Sequence, residues 1–337
     1  MNRRLVLLLL LLLLGAFAFW LWKRDTGSTI AGPLSDFAVA DTSRVTRIFI
    51  AEPNGRSVDL RRTPQGWTVN EAHPAVQHGV DLLLKAFLRA EVRSPVPRAA
   101  RENVLRTMAA TIRTVEIYTG GSKPEKIWYV GHATPDHFGT YVLLEKPGKG
   151  RSSEPYVLAV SGFSGFLTPR FHAVLDDWRE KVLFRYPDLS HVAQLTVHHP
   201  VEPQGNFTAH YNGGSDIHLT DGAGREVPLD TLAMKDLLLS VRDLHFERFE
   251  RSLTRAQRDS VQATPPWHLV MVTTRDGRTQ QVPFWKKLPE RDEKDMEFRP
   301  VTVDVNRILA RIDDTTLVVV QRQLSDRLTL RLKDLQR

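Results

Sequence analysis

The sequence contains no cysteine among its 337 residues. That excludes a disulfide framework, a thiolate zinc site, a thiol nucleophile and the lipid-bearing cysteine of a bacterial lipoprotein anchor. No G-x-S-x-G elbow, G-K-[ST] phosphate loop or H-E-x-x-H pair occurs either. Lysine and arginine (46) outnumber aspartate and glutamate (39), giving a formal charge of +7. The cations are spread along the chain and accompanied by acids, as in "LPERDEKDMEFRP". Nucleic-acid binding asks for clustered cations with interleaved aromatics, so no nucleic-acid partner is expected. A weak attraction to an anionic membrane surface fits better.

What is present begins with an apolar run. Leu5 to Trp22 is free of charge, with Arg3 and Arg4 before it and Lys23 and Arg24 after it. As a helix it spans about 27 Å, close to a bilayer core of roughly 30 Å. Trp20 and Trp22 fall where an interfacial aromatic belt lies. A transmembrane anchor over residues 1–24, embedded in membrane lipid through Leu5–Trp22, is therefore expected. The competing reading is a cleaved signal peptide, with Leu5 to Leu14 as its apolar region and Ala16-Phe17-Ala18 as its cleavage site. The early arginines favour an inside N-terminus, with the rest of the chain outside the cytoplasm. No later segment is long and apolar enough to span. Residues 25–32, overlapping "TGSTIAGP" (Thr26–Pro33), read as a linker.

Sliding the chain along itself exposes an internal repeat. "DFAVADTSRVTRIFI" (Asp36–Ile50) lies over "LFRYPDLSHVAQLTV" (Leu183–Val197). Phe37 falls on Phe184, Asp41 on Asp188, Ser43 on Ser190, Val45 on Val192 and Ile48 on Leu195. "VDLLLKAFLRAEV" (Val80–Val92) lies over "KDLLLSVRDLHFE" (Lys235–Glu247), and "TVEIYTGG" meets "LVMVTTRDG". Each copy opens with alternating runs broken by Pro/Gly turns, a three-stranded meander. An amphipathic helix follows. Val76, Val80, Leu83, Leu84, Phe87 and Leu88 form the first stripe, with Pro74 in its first turn. Asp230 is the expected N-cap of the second, whose stripe is Met234, Leu237, Leu238 and Val241. A short helix and a hairpin come next. "YVLAVSGFSGFL" and "RPVTVDVNRILARI" then each read as a strand leading into a helix. The expectation is an α+β protein: an N-terminal transmembrane helix, then two repeated modules over 33–178 and 179–337. Each module is expected to be an antiparallel sheet with helices packed on one face.

The order of these motifs, with "GHATPDHFGTYVLL" and "LDDWREKVLFRY", resembles the domain-of-unknown-function 4340 family. The likeness runs from the anchor to about Leu328. It implies a bacterial single-pass protein of the inner membrane with a duplicated periplasmic ectodomain. It brings no catalytic residues and no cofactor. It also implies membrane-protein partners, such as subunits of an ABC-type exporter.

Candidate chemistry is sparse. "GHATPDHFGTYV" (Gly131–Val142) carries His132, Asp136 and His137, the only metal-ligand or catalytic candidates that stand out. Their spacing matches no standard ligand pair, and Gly131, Pro135, Asp136 and Gly139 are ordinary turn residues. The corresponding stretch of the second copy has no histidine. His198, His210 and His218 could share one sheet face as solvent-facing strand residues. Ser164 in "SGFSGF" lacks the spacing of a nucleophile elbow. Asp176 and Asp177 are adjacent, so they do not face each other on a helix; "LDDWREK" reads as a junction in which Trp178 packs and Arg179 pairs with an acid. Trp67, Trp128, Trp267 and Trp285 read as core. The expectation is a non-enzymatic cell-envelope protein serving binding or assembly, as an exporter accessory. The alternatives are an envelope hydrolase or metal-dependent enzyme using His132, Asp136 and His137, and a peptide or glycan binder with an aromatic groove.

Overall fold

The structure, a computed structural model, describes residues 34–290, 294 and 297–336. The anchor expected at Leu5–Trp22 and the linker expected at 25–32 lie outside the described residues. The protein is α+β, with antiparallel sheets and few helices. It divides into two compact units, after Arg179.

In the first unit the strands are β1 Arg47–Ala51, β2 Ser57–Thr63, β3 Gly66–Val69, β4 His73–Pro74, β5 Ala90–Pro95, β6 Arg113–Tyr118, β7 Lys126–Ala133, β8 Thr140–Lys146, β9 Gly150–Arg151 and β10 Tyr156–Val160. The helices are α1 Gln77–Leu88, α2 Arg98–Thr111 and the single turn α3 Leu175–Trp178. One sheet runs β4-β3-β2-β1-β6-β7-β8-β10-β5, with β9 paired to β8. Alternation builds it: Ile48 and Ile50 of β1 are buried between half-exposed neighbours. The β1–β2 turn has Gly55 at φ +83°, a conformation that suits glycine.

Helix α1 buries Val80, Leu83, Ala86 and Phe87 against Trp128 and Phe171. Leu88, expected in the stripe, is 45% exposed. Pro74 sits not in the first helical turn but in the edge strand β4, opposite Thr68; an edge tolerates its missing N–H. Val76 N donates to Trp178 O, which closes the helix start onto the end of the unit.

The expectation of helices on one face is overturned. Helix α1 joins the cluster containing Trp128, Val130, Val142 and Leu144. Val104 and Met108 of α2 pack with Tyr129, Tyr141 and Leu143, which alternate with those residues and so point to the opposite face. Both faces of the central strands are covered because those strands carry unbroken apolar runs.

The second unit contains β11 Val182–Phe184, β12 Val192–His198, β13 Phe207–Gly213, β14 Asp216–Asp221, β15 Leu244–His245, β16 Arg248–Phe249, β17 His268–Thr274, β18 Thr279–Lys286, β19 Arg307–Arg311 and β20 Leu317–Gln321. Its helices are α4 Thr231–Ser240, α5 Arg255–Ala263 and the short α6 Arg322–Ser325. The main sheet runs β14-β13-β12-β17-β18-β19-β20-β16, and β11 pairs with β15. Asp230 caps α4 as expected, accepting from the N–H groups of Leu232 and Ala233. Met234, Leu237 and Leu238 of α4 are buried in the larger cluster with Leu195, Val272 and Phe284. Leu253 and Val261, at the level of α5, pack on the other face with Trp285, Leu309 and Val319.

The strand-into-helix expectation also needs correction. "YVLAV" forms β10 but continues into a turn in which Phe163 N donates to Val160 O. "NRILARI" holds strand β19: Ile308, Leu309 and Ala310 are consecutively buried. Asp304 starts it by accepting from Asn306 N and Arg307 N.

Candidate functional site

His132 lies near the end of β7, where the β7–β8 register slips between Val130 and Ala133. Its ring packs 4.9 Å from that of Tyr141. Burial pushes its pKa down, and its buried Nδ1 has no hydrogen-bond partner. Asp136 turns elsewhere: it accepts from the Thr134 hydroxyl, from Phe138 N at 3.1 Å and from Arg93 at 3.1 Å. The Thr134 hydroxyl is foremost in holding its carboxyl below the usual range. His137 adopts φ +59° and its ring lies 5.8 Å from Phe166. Among the described residues no hydrogen bond or ion pair joins any two of these three side chains. No group of three or more His, Asp or Glu placed to hold a metal occurs among them. The loop is built as a turn around Thr134, whose hydroxyl accepts from Gly139 N.

His210 and His218 are direct cross-strand partners and share the face expected of them. His218 is held by Asp216 (2.9 Å) and Glu226 (3.0 Å); the Glu226 hydrogen bond first, and then the Asp216 charge, raise its pKa. Ser164 is exposed in the turn after β10. Asp176 pairs with Arg179 at 3.4 Å, and Trp178 stacks on His172 with ring centres 5.0 Å apart. Trp67, Trp128, Trp178 and Trp285 are buried. Trp267 is partly buried, under Lys286 and Arg322. Neither unit therefore offers a row of exposed tryptophans among the described residues.

Two buried polar constellations were not anticipated. His199, the neighbour of His198, is 1% exposed. Its Nδ1 lies 2.7 Å from Nδ1 of His268, and its Nε2 lies 3.0 Å from Leu330 O. A carbonyl only accepts, so His199 Nε2 carries a proton. Burial disfavours a charge on either ring, and with both neutral His199 Nδ1 accepts from His268 Nδ1–H. Burial pushes the pKa of His199 down and that of His268 down to about 3, with the mutual charge adding to the latter.

The other constellation surrounds Glu250, which follows β16 and is 2% exposed. Its N–H donates to Leu317 O in β20. Oε1 accepts from the backbone N–H of Ser252 at 2.6 Å and from its hydroxyl. Oε2 is buried without a partner. Glu250 belongs to the walls of two clefts. One, about 590 Å³, is lined by Leu253, Val261, Lys287, Leu288, Glu290 and Leu309 among others. The other, about 560 Å³, includes Arg251, Arg255 and Arg258. Lys287 is itself buried, with Nζ donating to Glu290 at 3.0 Å and to Leu288 O at 3.2 Å; Asp304 lies 3.9 Å away. Lys287 in turn holds the Glu290 carboxyl below its ordinary range. A cleft with a mixed apolar and polar wall and a carboxylate oxygen lacking a donor is equipped to bind a hydrogen-bond donor. No sequence motif marks it: "FERFERS" has neither strand nor helix periodicity. Comparison with protein families, with curated proteins and with solved structures finds no match for this chain.

Proposed function

We propose that this is a non-enzymatic, membrane-anchored component of the bacterial cell envelope, with a periplasmic ectodomain made of two copies of one module. It binds a partner through the cleft beside Glu250. The duplication is supported by strand order. Reading β12, β13, β14, β16, β17, β18, β19 and β20 onto β1, β2, β3, β5, β6, β7, β8 and β10 turns one sheet order into the other, leaving out β4. Small features agree with it. Asp41 and Asp188 each accept from the N–H of a serine two residues on, at the start of a short 3-10 turn. Lys126 donates to Asp36 O, and Gln280, at the matching place on β18, donates to Leu183 O at 2.8 Å. Both tie the segment entering the module onto the sheet. The helices match on burial with Val80, Leu83 and Phe87 over Met234, Leu237 and Val241, one residue away from the alignment on "DLLL".

The observation that carries binding is the buried, partnerless Oε2 of Glu250, since leaving such a group unpaired costs about 1–3 kcal/mol or more. Sheet edges are weaker candidates for a partner strand. β4 and β16 have two residues each, and β14 is overlapped where Val227 N donates to Leu219 O. β5 carries Glu91, Arg93 and Pro95, and is itself bulged at Arg93. These are devices that blunt edges. An anchor at Leu5–Trp22 raises the module's effective concentration for other membrane proteins. The exporter-accessory role rests on the family resemblance. The test is capture of full-length protein from its native membrane in gentle detergent, beside a variant lacking residues 1–24. Transporter subunits recovered only with the anchored form support the reading; a partnerless protein overturns it.

A further inference from the structure

We infer that the Glu250 cleft takes a primary alkylammonium group, either a free amine or a lysine side chain of a partner. This rests on the binding reading above and specifies its ligand. Only one carboxylate oxygen is free, because Oε1 is already engaged by Ser252. A guanidinium fork needs two parallel acceptors, whereas an ammonium is a compact donor that suits one. A metal ion would need several ligands where one oxygen is on offer. The cleft's own cations do not serve Glu250. Lys287 is taken by Glu290 and Leu288 O, and Lys286 lies 5.0 Å from the ring centre of Trp267. Gln257 and Ser260 also line the wall, and its apolar part, Leu253, Val261, Leu288, Pro289 and Leu309, suits an aliphatic stem. At about 590 Å³ the cleft falls within the range of small-ligand sites. Oε2 is buried, so the ligand reaches it by displacing side chains. Leu288, 71% exposed, is poorly held by packing.

The experiment uses full-length protein in detergent near neutral pH, titrated with hexylamine, with hexanol as a neutral control of equal tail length. A lysine derivative blocked at both ends represents the protein source. Hexylammonium is expected to bind and hexanol at least tenfold more weakly. Glu250→Gln, which keeps the Ser252 contacts, is expected to weaken hexylammonium at least tenfold. Val261→Trp narrows the cleft while leaving Glu250 in place and should abolish binding too; it decides the matter if the first variant does not fold. Equal binding of hexanol, or undiminished binding by Glu250→Gln, overturns the assignment. Tighter binding of the lysine derivative supports it and identifies a protein source; tighter binding of the free amine supports it with a small-molecule source. Membrane partners captured equally by wild type and Glu250→Gln, with no amine bound by either, overturn the cleft assignment and leave the tethered-binding reading standing. Glu250-dependent amine binding with no captured partner does the reverse.

Discussion

His199 and His268 show at the scale of single residues how burial becomes pH dependence. Both are held neutral in the fold, with pKa values lowered below the ordinary histidine value. Below pH ~6.5 the unfolded chain binds protons that the folded one refuses, so stability rises with pH in that window and is lost as pH falls. For His268 the loss continues to about pH 3, at up to about 1.4 kcal/mol per pH unit. Urea unfolding of His268→Gln at pH 7 and pH 4.5 should show a smaller drop than wild type; an identical drop would remove the pair as its cause. Gly131 illustrates close approach. A Cβ there would lie 2.6 Å from Met108 Cγ and 3.1 Å from Tyr141 O. Gly131→Ala is expected to destabilise by about 1–3 kcal/mol through overpacking. Combined with Met108→Ala, its cost should fall short of the sum of the two, since they share one site. Denaturant midpoints of the four proteins test this.

Among the elements, the segment leading into each unit is the most telling. Lys126 is 4% exposed and donates to Asp36 O, to Ala38 O and to the Asp36 carboxylate. Lys146 holds the same carboxylate, which keeps the Asp36 pKa low. Lys126→Met leaves two backbone carbonyls without this donor, at about 1–3 kcal/mol each. Lys126→Gln should cost less, because Gln280 performs the matching task in the second unit. Amide exchange at Val39, whose N–H donates to Phe87 O, is expected to speed up in the methionine variant. Helix α4 offers a simpler case. Asp230→Ala removes the acceptor for Leu232 N and Ala233 N and should cost about 1 kcal/mol, read as a lowered melting temperature.

Over the whole molecule, each apolar cluster lies inside one of the two units. Scanning calorimetry is therefore expected to show Gly131→Ala shifting the unfolding of the first unit and His268→Gln that of the second. One transition moved equally by both variants would contradict this. The layered arrangement was partly legible beforehand. "TYVLL" and "TLVVV" are unbroken apolar runs, the signature of strands covered on both faces. Leu143 with Leu144, and Val318 with Val319, fall in different clusters on opposite faces.

The sequence by itself determined what neighbours along the chain decide. Alternation and Pro/Gly turns set the meanders, and Asp230 set a helix start. Tertiary structure alone decided which face α2 and α5 would cover. It brought His199 to His268 across 69 residues. It closed the protein around Glu250 until one oxygen lost water without gaining a donor. Local periodicity records a residue's relation to its own element, whereas desolvation and pairing depend on atoms brought from distant parts of the chain.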